Sequence, residues 1–284
     1  MGAMKIAGEQ TEYGIKHNTR VKHYPDGSTE VLCASRQIFR VPGYEIRGEV
    51  SEKQDTSKAP SPEDAADNLA RAQRRARTAI RDMALCNPMS YFVTLTFDPA
   101  MVDRYDIKAI MRRVNGWLDN QVRRKGLAYI LIPELHKDGA VHFHGFFNDA
   151  LGVIDSGTMV PPGGGKPKRP RSEALRSAWV AAGGQVVYNL PGWPYGFSTC
   201  MHLHGDYRAA VGYVCKYIAK EQTKVGGRWY YHGGRLRLPE VTYHDANVED
   251  VAAAPGAATF QTDTLGGVTF AIWREGGKTS VEQR

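Results

Sequence analysis

Two apolar runs separated by a tight turn constrain this chain more than any other feature. Leu127 to Pro133 (LAYILIP) and Val141 to Phe147 (VHFHGFF) flank Asp138-Gly139, a dipeptide that favours the backbone of a short hairpin. Runs joined this closely must pair antiparallel, because a parallel crossover needs a dozen or more residues. A further run, Tyr91 to Phe97 (YFVTLTF), is dense in β-branched and aromatic residues and reads as a strand. Between it and the hairpin, Ile107, Ile110, Met111, Val114, Trp117, Leu118 and Val122 form one stripe, which predicts a helix from about Asp106 to Arg124 closed by Gly126. The order of elements is strand, helix, two adjacent strands, helix, strands, helix. It predicts an α+β fold with a central antiparallel β-sheet flanked by helices, and argues against a doubly wound parallel sheet.

The remainder of the chain is punctuated clearly. Ser61-Pro62-Glu63-Asp64 opens a helix to about Leu85, with Ser as cap, Pro at the first helical position and acids in the first turn. A helix near Ser172 to Ala182 and strands near Gln185–Tyr188 and Gly196–His202 follow the basic loop Pro161 to Arg171 (PPGGGKPKRPR). Asp206 caps a helix running to about Glu221. Upstream, Tyr24-Pro25-Asp26-Gly27-Ser28 suggests a hairpin with Val31-Leu32-Cys33 in one strand, and residues 51–61 have the composition of a linker. Beyond Pro239 the chain is Ala- and Gly-rich, with a last hairpin signal at Gly266-Gly267. The expected organisation is a partly flexible N-terminal extension over 1–60, a central domain over 61–240 and a C-terminal extension over 241–284.

Charge narrows the partners. Thirty-seven Lys and Arg against 30 Asp and Glu leave +7 over 284 residues, a balance that favours polyanions. No apolar stretch approaches the roughly 20 residues of a membrane span. The N-terminus lacks the apolar core of a secretory signal. Cys33, Cys86, Cys200 and Cys215 show neither zinc-cage nor disulfide-framework spacing, so a cytoplasmic location is expected.

Two constellations could carry chemistry. Alternate residues of a strand share a face, so His142 and His144 project together while Phe143 points away. A turn at Asp138-Gly139 pairs positions whose numbers sum to about 277–278, bringing Glu134 opposite His142–His144. Two imidazoles and one carboxylate make a three-ligand divalent-metal site with open positions for substrate oxygens. A second HxH, His202-Leu203-His204, precedes a helix cap and has no carboxylate on an evident pairing strand, so the first pair is preferred. The other constellation is Tyr213-Val214-Cys215-Lys216-Tyr217-Ile218-Ala219-Lys220. Helical spacing puts Tyr213, Lys216, Tyr217 and Lys220 on one stripe, with Val211, Val214 and Ile218 elsewhere. Packing explains tyrosines on a helix, but not a lysine three residues after each of two. A phenol near a cation ionises more easily and can attack phosphorus.

Taken in order, Thr94-Leu95-Thr96-Phe97, Glu134 with His142-Phe143-His144, and YVCKYIAK resemble the three motifs of the HUH endonucleases, which include rolling-circle replication initiators, relaxases and related transposases. The doubled YxxK most resembles the two-tyrosine initiators of small single-stranded DNA phages. The resemblance spans about Asn87 to Lys220, roughly half the chain, and leaves both extensions unexplained. It implies Mg²⁺ or Mn²⁺ on Glu134, His142 and His144, and nucleophilic Tyr213 and Tyr217 forming a 5′-phosphotyrosine. It further implies Lys216 and Lys220 orienting phosphate, and nicking and rejoining of single-stranded DNA at an origin, or at a hairpin within it. No P-loop is present, since Ile272 stands where Gly276-Gly277-Lys278-Thr279 would need a glycine. A host helicase and a host polymerase are therefore the expected partners.

Candidate DNA contacts are Arg74 and Arg75 within the arginine-rich helix, the loop residues Lys166, Lys168, Arg169 and Arg171, and Arg123-Arg124-Lys125. Each is equally compatible with solvated surface charge. The alternatives are a two-tyrosine transposase or plasmid initiator or relaxase with the same motifs, a non-catalytic nucleic-acid-binding protein, and a hydrolase that activates water.

Overall fold

A computed structural model describes residues 16–41, 61–203, 205–220, 223–262 and 267–276. Its elements in chain order are β1 (Lys16–His17), β2 (Thr19–His23), β3 (Thr29–Ala34), β4 (Phe39–Arg40), α1 (Pro62–Cys86), β5 (Tyr91–Phe97) and α2 (Ile107–Lys125). There follow β6 (Tyr129–Leu135), β7 (Val141–Phe147), β8 (Ile154–Val160), α3 (Glu173–Ala181), β9 (Gln185–Asn189), β10 (Gly196–His202) and α4 (Tyr207–Lys220). The chain continues with β11 (Tyr231–Gly233), β12 (Glu240–His244), α5 (Val248–Ala252), β13 (Ala258–Thr262) and β14 (Val268–Glu275). All pairings among the described residues are antiparallel, so the fold is α+β with antiparallel sheets. No described helix is long and apolar enough to cross a membrane.

Two compact units divide the chain. The first runs from Pro62 to Arg237 and is built on a sheet ordered β11-β6-β7-β5-β10-β9-β8. Alternation along each strand sends two sets of side chains to opposite faces. Val93, Leu95, Leu131, Phe143 and Phe147 pack under α2 with Val114, Trp117 and Leu118. Ile130, Ile132 and Phe146 face the other way, against α1 through Ile80 and Met83 and against α4 through Val211, Val214 and Ile218. Local signals end the helices as expected. Asp106 accepts from the Ala109 N–H at 2.9 Å, Gly126 closes α2 at φ 73°, and Asp206 accepts from the Ala209 N–H at 3.0 Å.

The second unit is made from both flanks. Its sheet, ordered β12-β2-β3-β14-β13, interleaves strands from before Pro62 with strands from after Arg237, and α5 packs on it through Val251 against Val21, Val31 and Ala271. The segments read from sequence as separate extensions thus supply one shared sheet. The Tyr24–Ser28 hairpin joins β2 to β3, while most of the linker reading lies outside the described residues.

Within the first unit, β6 and β7 pair with positions summing to 276: Glu134 opposite His142, Ile132 opposite His144. The expected sum of 277–278 is corrected by the turn. His136 and Ala140 close a three-residue loop in which Gly139 takes φ 86°, so the turn takes in Lys137 as well as Asp138-Gly139 and the register shifts by one. Pro133 is tolerated because β11 covers β6 only over Tyr129–Leu131. Gly145 lies where β6 crosses closely: a Cβ there would collide with the Ile130 carbonyl oxygen and sit 2.9 Å from Leu131 Cα. Gly145→Ala should therefore cost at least about 2 kcal/mol. Thermal denaturation should register a Tm lower by roughly 4–8 °C, and an unchanged Tm would contradict the close approach.

Candidate active site

Three aligned rows of side chains cross the α1/α4 face of the sheet. The first is Phe197–Thr96–His142–Glu134, the second Thr199–Thr94–His144–Ile132, and the third Met201–Phe92–Phe146–Ile130, each running β10-β5-β7-β6. Cross-strand partners lie on the same face, so the register alone gathers these groups. Thr96 Oγ1 lies 3.1 Å from His142 Nδ1, and Thr94 Oγ1 lies 3.1 Å from His144 Nδ1. The i, i+2 spacing of the threonines on β5 thus matches that of the histidines on β7. His144 Nε2 lies 2.9 Å from Glu134 Oε2, with both side chains largely buried.

The third proposed ligand is turned differently. The His142 ring stacks on His136 with centroids 3.7 Å apart. Among the described residues, no three His, Cys, Asp or Glu side chains converge into a ready metal cage. The donor chemistry nevertheless fits a divalent ion. In the tautomer where each Nδ1–H donates to its threonine, both Nε2 atoms keep a lone pair for a metal, as ligating histidines do when their other nitrogen is held. Burial first, then the His136 and His144 imidazoles and Arg104, push His142 down to about 4. A neutral imidazole at physiological pH is what a metal ligand requires.

Helix α4 lays its tyrosines over these rows. Tyr217 stacks on His144, ring centroids 4.4 Å apart and planes 13° apart. Its hydroxyl donates to the Tyr213 oxygen at 3.3 Å, and Tyr213 meets Phe92 edge-on at 6.3 Å. The two phenols are unequal. Tyr213 is 54% exposed, whereas Tyr217 is half-buried. Burial, the hydrogen bond to Tyr213 and the Glu134 charge all push the Tyr217 phenol upward. Lys216 is exposed, with its ammonium 6.0 Å from the Tyr213 ring centroid, over the ring rather than at the phenol oxygen. The Lys220 side chain and His204 lie outside the described residues.

Other sequence candidates fall into different surroundings. His202 faces the α2 side, its ring 4.5 Å from Tyr91 and 5.2 Å from Tyr188. Arg123, Arg124 and Lys125 form the last turn of α2, on the sheet face opposite the tyrosines, where they complement the helix dipole. Lys166, Lys168, Arg169 and Arg171 are exposed on the loop after β8, whose backbone pairs with it through Met159 and Lys168 at 2.8 Å in both directions. Arg74 and Arg75 are exposed on α1. Sequence reasoning missed His136 and Arg104. Arg104 stands in the loop after β5, its Nη2 3.8 Å from Asp138 and its carbonyl accepting from the Val141 N–H. Neither position carries a local signal, since only the hairpin register brings them to His142.

Residues 90–222 match the family model of the replication-associated protein ORF2/G2P. The match supports a replication-initiator family, and its span holds every row strand from β5 to β10 together with α4. No curated protein and no solved structure matches the chain.

The buried imidazole has a consequence for stability. Its folded pKa of about 4 lies below the ordinary 6.5, so between these values the unfolded chain binds a proton that the folded protein does not. In metal-free buffer Tm should fall as pH drops from 6.5 toward 4, and His142→Gln should flatten that fall. A variant with the wild-type slope in differential scanning calorimetry would assign the loss to another group.

Proposed function

We propose that this protein nicks and rejoins single-stranded DNA at a replication origin, holding the cut end as a 5′-phosphotyrosine. The observation that carries the reading is Tyr217 stacked on His144, with Tyr213 hydrogen-bonded to it and Glu134 against the same imidazole. The family match over this span supports the replication setting, and favours an initiator over a transposase with the same motifs.

Glu134, His144 and His142 would hold Mg²⁺ or Mn²⁺, which would polarise the scissile phosphate and offset the charge building on it. Thr94 and Thr96 keep the two rings oriented. Tyr213 is the better first nucleophile, being the exposed phenol, with its oxygen held by a hydrogen bond from Tyr217. Its oxygen bonds to phosphorus as the bond to the 3′ oxygen breaks; the phenol loses one proton and the departing 3′ oxygen gains one. The released 3′-hydroxyl can be extended by a polymerase. The phosphodiester energy stays in the tyrosine link, so rejoining needs no nucleotide triphosphate. Tyr217, four residues on, is then available for a second cut. Lys216 stands where an ammonium can hold a phosphate oxygen of the attached strand, and Lys220 falls on the same stripe of the helix. Exposed cations at Arg74, Arg75, Lys166, Lys168, Arg169 and Arg171 would add salt-sensitive phosphate contacts.

With Mn²⁺ and 3′-labelled single-stranded oligonucleotides tiled from the protein's own genome or plasmid, denaturing gels should reveal a labelled band at protein mass. Tyr213→Phe should slow the adduct strongly, and the double variant with Tyr217→Phe should abolish it. Cleaved DNA without an adduct would instead indicate a water-using hydrolase. Thr96→Val should weaken Mn²⁺ binding by about 10-fold or more in calorimetry if His142 is a ligand held by Thr96; unchanged affinity would remove His142 from the ligand set.

A further inference from the structure

Row one ends on a residue that the nicking chemistry does not use. Phe197 is 65% exposed although it sits inside β10, paired directly with Thr96. Its side chain shares the face of Thr96, and hence of His142 and Glu134, because cross-strand partners project together. Cys200 of the same strand points into the α2 core, fixing the alternation independently. Thr199, the next residue on the Phe197 face, is also exposed. The apolar cluster under α1 and α4 draws on β6 and β7 with Phe92 of β5, and includes neither Phe197 nor Thr199. The β10 end of the three rows is therefore an open shelf beside the tyrosines, bearing one large aromatic ring on a rigid strand.

Two strand spacings, about 10 Å, separate Phe197 from His142. A nucleotide one or two steps from a phosphate lying at His144 and Glu134 would bring its base over that ring. The charge around row one suits such a strand: the chain carries +7, and the Arg104 charge acts on His142 from beside the β6–β7 turn. We propose that Phe197 is a stacking platform for an unpaired base of the DNA strand, setting how the strand lies across the rows before it is cut. Stacking of this kind is tolerant of sequence, because every base presents a π face. The proposal rests on the single-stranded DNA reading above and assigns that substrate a second point of attachment, through a base rather than a phosphate.

Fluorescence anisotropy in EDTA separates binding from cleavage. The probes are a fluorescein-labelled dT 15-mer and an abasic 15-mer of the same backbone. Wild type should prefer the dT 15-mer. Phe197→Ala should lose about 5- to 100-fold on dT and nothing on the abasic strand, while Phe197→Trp restores the preference. The salt slope should be unchanged, since no phosphate contact is removed. Equal affinity of Phe197→Ala and wild type for dT, or an equal loss on both probes, overturns the platform; the exposed ring then serves a contact other than a base. The adduct assay distinguishes the two readings. Adducts formed by a protein whose Phe197→Ala variant binds dT normally would sink the platform alone. A base-dependent loss in a protein that forms no adduct would support the platform and sink the tyrosine chemistry.

Discussion

The pairing register of β6 with β7 is the constraint on which the rest of the site depends. Because strand side chains alternate, a slip of one residue would send His142 and His144 into the core under α2 and bring Phe143 out beneath the tyrosines. Two features hold the register. Gly139 supplies the left-handed residue of the three-residue turn, and the missing side chain at Gly145 lets the two backbones close. The large aromatic side chains of β7 add to this, since Phe143 and Phe147 fit only the α2 side and Phe146 only the α1/α4 side.

Much of this was legible in the sequence, for definite reasons. β5, β7 and β10 appear with the bounds expected of them, because each is a short β-rich run ended by turn residues. The ends of α2 follow from Asp106 and Gly126. β6 is displaced by two residues at each end, since Pro133 reads as a stop when nothing reveals that its missing N–H falls where no neighbouring strand needs it. β8 carries no strand signal: its sequence, IDSGTMV, has little β propensity and is held by pairing with β9. The shared sheet of the flanks was illegible for a different reason. Local patterning contains no record of which distant strand will become a neighbour.

The tyrosine helix teaches a similar lesson about chemistry. Spacing placed Tyr213 and Tyr217 on one stripe, and the structure keeps them there, yet their environments differ in ways a helical wheel cannot express. One phenol is exposed beside a lysine; the other is wedged on an imidazole near a carboxylate, where ionisation is disfavoured. The expectation that lysines ease ionisation of both phenols therefore does not carry over to Tyr217, whose burial, Tyr213 contact and Glu134 neighbour all act in the opposite direction. A divalent cation at Glu134, as proposed, would offset that carboxylate's push on the Tyr217 phenol.

The shared sheet of the flanks also sets an order of assembly. β2 and β3 can form their hairpin as soon as they are made, but their outer neighbours, β12 and β14, lie beyond the whole of the unit from Pro62 to Arg237. A nascent chain must carry two unpaired strand edges until β12 and β14 have been made, and an isolated hairpin is at best marginally stable in water. The middle unit needs no partner from either flank for its own sheet. The middle unit can therefore complete its sheet first, and the flanking sheet closes only once β14 has been made.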